Sequence, residues 1–165
     1  MTRCLGILSA ALCVLVSLAC WGVGATSRAR AAVLWPLPGA LIAEFDPPDP
    51  DWLPGHRGID LVAAPGEQIR SPRSGTIEFA GSVGGTPVVV VAHGVLRATY
   101  LPATPLSPLE AGHAVSAGQA IAEVADDGTH CPRACLHWGA RAHERYVDPR
   151  LLLGHASVVL TPLAD

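Results

Sequence analysis

The stretch GTIEFA at residues 75–80 decides the fold, because polar and apolar side chains alternate along it until Gly81 ends the run. Alternation with a period of two is typical of a β-strand that has one face in the core and the other in solvent. A turn over residues 83–86 follows, and the apolar run at residues 88–92 predicts a second, buried strand. The middle of the chain is therefore predicted to be sheet.

Similar strand signals recur on both sides of this stretch. Short apolar or alternating runs bounded by turn residues occupy residues 61–64, 96–101, 120–124 and 134–141. Residues 46–55 are rich in proline, which removes a backbone donor and excludes a helix there. Residues 106–118 are predicted to be a loop. Without an amphipathic helical pattern, the sequence predicts an all-β, antiparallel single domain.

The N-terminal part is predicted to be a secretory signal that lies outside this domain. Arg3 precedes a long apolar run at residues 5–23, and Ala29-Arg30-Ala31 has the small-x-small pattern of a cleavage site. An uncleaved membrane anchor is the alternative, because the run approaches the length that spans a bilayer. We therefore assign residues 1–31 to a signal peptide or N-terminal anchor and residues 32–165 to the β domain. The predicted location is secreted or in the cell envelope, with membrane contact only through the N-terminal segment.

Net charge and the absence of lysine each exclude one class of function. The predicted domain holds all 14 acidic residues and eight of the 11 cations, which gives a formal net charge of −6 with neutral histidine. Nucleic-acid binding needs a clustered cationic face, so we predict no nucleic-acid partner. Every cation is arginine. A lipoyl or biotinyl carrier is excluded because both attachments need a lysine amine.

Two further stretches carry the residues that predict chemistry: GHRGID at residues 55–60 and CLHWG at residues 135–139. Two imidazoles and one carboxylate form a known three-ligand zinc set that leaves the fourth position open to water. His56, Asp60 and His137 are therefore candidate ligands of Zn²⁺, although a histidine four residues before an aspartate is common by itself. Residues two apart in a strand share a face, so Cys135 is predicted to face the same cavity as His137.

The two cysteines beyond the signal leave two possibilities open. An even pair in an exported domain favours a disulfide between Cys131 and Cys135. Alternatively, Cys135 is a thiolate ligand that closes the zinc site to water. Arg57 and Arg141 are candidates to meet substrate carboxylates, and structural or surface ion pairing is the competing interpretation.

An ordered series of motifs resembles the lysostaphin/LytM-type zinc peptidases, metallopeptidase family 23. The motifs are WPLPG, GHRGIDL, APGEQI, SGTIEFAG, VVVVAHG, TYL, VSAGQAIAEV, CLHWGAR and YVDP, and they cover nearly all of residues 34–153. The resemblance implies a β-barrel-like antiparallel domain of the LytM (duplicated hybrid motif) type that cleaves peptide cross-links or stems of peptidoglycan. It also matches His56, Asp60 and His137 to the zinc ligands of the family.

The chain departs from that family at both positions where a catalytic histidine is usual. Cys135 takes the place of the first histidine in the last motif, and Pro102 stands two residues after Tyr100, where a second is usual. A positioned general acid or base contributes about 100- to 10,000-fold. We therefore predict a zinc metalloendopeptidase-type protein with weak or altered activity. His130 and a reduced Cys135 are the candidates to substitute for the missing histidines. The alternative is an inactive module that binds peptidoglycan or regulates another cell-wall hydrolase.

Overall fold

The computed structural model describes residues 34–50 and 52–154. The predicted signal segment, residues 1–31, lies outside the described residues. In the part of the chain that is described, no helix is both long and apolar enough to cross a membrane.

Short strands make up most of the described structure. They are β1 (Leu41–Ala43), β2 (Gly58–Val62), β3 (Gln68–Arg70), β4 (Gly75–Val83), β5 (Thr86–His93), β6 (Leu96–Leu101), β7 (Ala103–Pro105), β8 (Ala114–Val115), β9 (Ala120–Val124), β10 (Cys135–Ala142) and β11 (Arg145–Val147). A 3-10 helix, Pro149–Leu153, follows the last strand. It begins after Asp148, whose side chain accepts a hydrogen bond from the backbone N–H of Arg150.

The strands form two antiparallel sheets. The larger sheet has eight strands in the order β1-β2-β10-β6-β5-β4-β8, with β11 paired to β10. The smaller sheet has three strands in the order β3-β9-β7. This architecture confirms the predicted all-β, antiparallel class. Among the described strands, neither sheet closes on itself, so the resemblance to a barrel is only approximate.

The core depends on strict alternation along β2 and β10. Ile59 and Leu61 of β2 stand opposite Trp138 and Leu136 of β10, and all four side chains are buried. Tyr100 of β6 lies opposite Trp138 on the other side of β10 and is also buried. Because neighbouring residues of a strand point to opposite faces, the residues between these core positions face away from the core.

The structure adds the short strands β1, β3, β7 and β11 to those predicted, and it differs from the prediction in other places as well. Strand β2 spans Gly58–Val62, not residues 61–64, because Ile59 alternates with Asp60 to complete its core face. The predicted loop at 106–118 contains the two-residue strand β8, which pairs with β4. In β4 the register shifts between Ile77 and Phe79, and this irregularity leaves Phe79 37% exposed while Ile77 stays buried.

Gly58 is required by the close packing of β2 on β10. A Cβ atom at this position would lie 2.6 Å from the carbonyl oxygen of Trp138 and 2.7 Å from Nε2 of His137. The first of these neighbours is backbone and cannot rotate away. The missing side chain at residue 58 therefore lets the His137 imidazole lie over β2.

We predict that Gly58→Ala lowers the free energy of unfolding by about 1–3 kcal/mol, the usual cost of overpacking. Thermal unfolding of the zinc-free protein measures the loss. Gly139→Ala is the matched control, because it adds the same methyl group at the residue paired with Gly58, where the nearest atom is 3.3 Å away. Equal unfolding midpoints for Gly58→Ala and the unaltered protein would contradict the packing argument.

Candidate metal centre

The register of β2 against β10 brings two of the three predicted ligands together. Asp60 stands directly opposite His137 on the face that points away from the core. His56 lies just before β2, and its backbone N–H and C=O both bond to Asp46, at 2.7 and 2.9 Å. The sequence-distant His137 and the local pair His56 and Asp60 therefore meet at one place.

Three side-chain atoms converge closely there. Oδ1 of Asp60 lies 2.8 Å from Nδ1 of His137 and 3.1 Å from Nε2 of His56. The two imidazole nitrogens are themselves 3.1 Å apart. A divalent cation bound by two nitrogens and a carboxylate oxygen fits this donor set. The structure thus brings the predicted ligands together, and their binding of zinc remains a prediction.

The orientation of His56 is set by a backbone group. Its Nδ1 lies 2.6 Å from the carbonyl oxygen of Glu44, which can only accept a hydrogen bond. Nδ1 therefore donates this hydrogen bond, and Nε2 is the ring nitrogen that faces Asp60 and His137. A hydrogen bond of this kind on the remote ring nitrogen is the usual support of a histidine that binds a metal.

The carboxyl group of Asp60 is ionised at neutral pH although its side chain is only 5% exposed. Burial by itself raises its pKa, but hydrogen bonds with His137 and His130 outweigh burial and lower the pKa to about 2. The resulting carboxylate has two oxygens available as acceptors or as metal ligands.

A third imidazole, that of His130, joins the cluster from the loop between β9 and β10. Its Nε2 lies 2.9 Å from Oδ2 of Asp60, whereas the other two histidines contact Oδ1. One ligand atom from each of His56, Asp60, His130 and His137 lies within 4.8 Å of the others. The side chain of His130 is 51% exposed, whereas that of His137 is 15% exposed. Of the four groups, His130 is therefore the one most open to solvent.

The two cysteines next to His130 are joined by a disulfide. Cys131 and Cys135 are linked with an S–S distance of 2.03 Å, and Cys135 is fully buried at the start of β10. A disulfide sulfur has no thiol proton and no thiolate charge. In this state Cys135 offers neither a base nor an anionic ligand, so both alternatives for Cys135 require a reduced protein.

Position 102, the second place where the family usually has a catalytic histidine, also lacks a titratable group. Pro102 is buried where β6 meets β7, and its carbonyl oxygen accepts a hydrogen bond from Ala125. Tyr100, two residues earlier, is fully buried, and burial raises its pKa. Its phenol is a neutral core group and contributes no acid or base to the site.

A cavity of about 380 Å³ opens beside the cluster. It is lined by Arg57, Thr99, Leu101, His130, His137, Gly139, Ala140, Arg141 and Tyr146. The sequence predicts no role in the site for Tyr146, because its only signal is its place in the YVDP motif. A peptide bound here would have access to both His130 and His137.

We predict that the Cys131–Cys135 bridge keeps His130 beside Asp60. Replacing both cysteines by serine removes the cross-link and frees the adjacent backbone. For a disulfide that closes so short a loop, the chain-entropy account gives a loss of roughly 2 kcal/mol in the free energy of unfolding. We expect faster acylation of His130 by diethylpyrocarbonate in zinc-free protein, measured by mass spectrometry. His113, which is exposed and remote from the bridge in sequence, serves as the internal control. An unchanged ratio of His130 to His113 modification would show that the bridge does not restrain His130.

Comparison with known sequences gives a family-level match. Residues 54–149 match the sequence profile of Peptidase family M23. An uncharacterised protein of Mycobacterium tuberculosis is 38% identical over 161 residues, which cover 91% of this chain and 64% of that protein. The chain therefore spans less than two thirds of this relative's length.

Two further proteins are similar to this chain over part of its length. A Pseudomonas aeruginosa protein described as a lipoprotein NlpD/LppB homolog is 31% identical over 120 residues, covering 70% of this chain and 37% of that protein. The crystal structure of a zinc-containing peptidase from Vibrio cholerae superposes with a TM-score of 0.56 at 22% identity, covering 70% of this chain and 38% of the other. At that identity, the superposition shows a shared fold.

Proposed function

The chain belongs to peptidase family M23, and from this membership we propose that it is an exported zinc-binding protein of the cell wall. We further propose that it hydrolyses peptide cross-links or stems of peptidoglycan, with weak or altered activity. The single observation that carries this proposal is the convergence of His56, Asp60 and His137 at the edge of a cavity.

The donor set fits zinc. Two neutral imidazoles and one carboxylate leave a coordination position for water, and the cavity provides room for a substrate on that side. Zinc held in this way acidifies bound water and polarises a carbonyl group. Asp60 supplies an anionic oxygen, while the Glu44 carbonyl and strand β10 hold His56 and His137 in place.

His130 is the candidate for the proton-transfer role. Its imidazole is the most exposed of the cluster and lies on the cavity wall, where an attacking water and a leaving amine would be in reach. It enters from a loop five residues before Cys135, so it supplies an imidazole although the usual sequence position holds a cysteine.

A second candidate function is an inactive module that binds peptidoglycan or regulates another hydrolase. It is favoured by Pro102 and the disulfide-bonded Cys135, neither of which can transfer a proton. Location outside the cytoplasm is supported by the N-terminal apolar run and by the relative described as a lipoprotein.

We expect the purified protein to retain about one zinc ion per chain after dialysis. His56→Ala and His137→Ala each remove one nitrogen ligand and should reduce retained zinc to near zero, as measured by inductively coupled plasma mass spectrometry. His113→Ala is the control, since His113 hydrogen-bonds to Glu110 outside the cluster. Equal zinc contents in all four proteins would refute the assigned ligands.

The test of function is dye release from purified, dye-labelled peptidoglycan by the same zinc-loaded sample. We expect slow release that His56→Ala abolishes. His130→Gln should lower the rate by roughly 100-fold or more, because glutamine cannot accept the proton. If zinc-loaded protein releases no dye, the hydrolase proposal fails and the binding module is favoured. If His130→Gln leaves the rate unchanged, another group moves the proton.

A further inference from the structure

Two arginines pack against a tyrosine on the cavity wall. These residues, Arg57, Arg141 and Tyr146, form the arginine group. The guanidinium carbon of Arg141 lies 5.0 Å from the centre of the Tyr146 ring, and that of Arg57 lies 5.5 Å from it. Cations at this range are attracted to the face of an aromatic ring. Arg57 also donates a hydrogen bond from Nη2 to the carbonyl oxygen of Leu53, at 2.9 Å. Both guanidinium groups are therefore held in place before any ligand arrives.

The cavity has a cationic lining in an acidic domain. Arg57 and Arg141 line it together with His130 and His137, and among the described residues that line it there is no aspartate or glutamate. The carboxylate of Glu144 pairs with Nη2 of Arg141 at 2.9 Å, but the Glu144 side chain is 88% exposed. Ion pairs so exposed contribute little, so a ligand carboxylate can compete for Arg141.

One member of each group, Arg141 and His137, lies on the same face of β10. His137, Gly139 and Arg141 alternate along β10, so all three belong to one face of the sheet. Four residues of strand cover about 13 Å, which is also the length of roughly four residues of an extended peptide. Gly139 has no side chain, so none fills the cavity on this strand between His137 and Arg141.

We propose that Arg57, Arg141 and Tyr146 form a subsite that binds a carboxylate of the peptide whose backbone reaches the metal centre. This inference rests on the proposed function and narrows its substrate class to peptides that carry a free carboxylate within about four residues of the bond at the cluster. The arginine fork matches a carboxylate with paired hydrogen bonds, and a neutral amide cannot reproduce the charge.

Binding to the zinc-loaded protein tests the subsite without requiring turnover. The probes are N-acetyl-tetra-alanine with a free carboxylate and its C-terminal amide, in all-L and all-D forms, measured by isothermal titration calorimetry. We expect the free acid of at least one form to bind roughly 10-fold or more tightly than its amide. Arg57→Gln and Arg141→Gln should each largely remove that preference. Arg145→Gln is the matched control, because Arg145 is exposed and does not line the cavity.

A third probe identifies the source of the carboxylate. N-acetyl-Ala-Ala-Ala-Glu-amide carries its charge on a side chain, so regained affinity indicates recognition of an acidic side chain, and continued weak binding indicates recognition of the peptide terminus. Both results support a carboxylate subsite. The absence of any acid-over-amide preference would overturn it.

Zinc-free protein provides the remaining control. A preference that survives both arginine substitutions but disappears when zinc is removed would show that the metal holds the carboxylate, and this result overturns the subsite. Failure of the proposed function is a separate outcome, because a protein without dye release can still show an arginine-dependent preference in the titration.

Discussion

The antiparallel pairing of β2 with β10 is the constraint on which the described core and the candidate site both depend. On one face it packs Ile59 and Leu61 beside Trp138 and Leu136, and on the other it sets Asp60 beside His137. A slip of one residue would exchange the two faces and bury the polar pair. Because such a slip would break the apolar contacts, the same packing that stabilises the sheet also keeps the carboxylate beside the imidazole.

Much of this arrangement could be predicted from residue order alone. The alternation of residues 75–80 predicted β4, and the apolar run at 88–92 predicted β5 with bounds close to those observed. The start of β2 was missed, because Gly58 and Asp60 made Ile59 and Leu61 look isolated, although they form one buried face. The irregularity at Phe79 could not be predicted from alternation either. Alternation describes a regular strand and carries no information on where its register against the neighbouring strand shifts.

The candidate site shows the same limit in another form. The resemblance singled out His56, Asp60 and His137, and the strand register accounts for their meeting. His130 could be suggested only by its closeness to Cys135 in sequence, because the path of an irregular loop depends on tertiary contacts. Tyr146 could not be found at all, since its contact with Arg57 and Arg141 depends on how β11 folds back along β10.

The support of His56 by the peptide carbonyl of residue 44 has an evolutionary consequence. Every amino acid carries that oxygen, so no replacement of the Glu44 side chain can delete the acceptor. Its carboxylate contacts Arg150 and is free to change as far as the imidazole is concerned. The side chain at position 44 can therefore change without altering which nitrogen of His56 carries the proton. A displacement of the main chain after β1 would disturb that hydrogen bond.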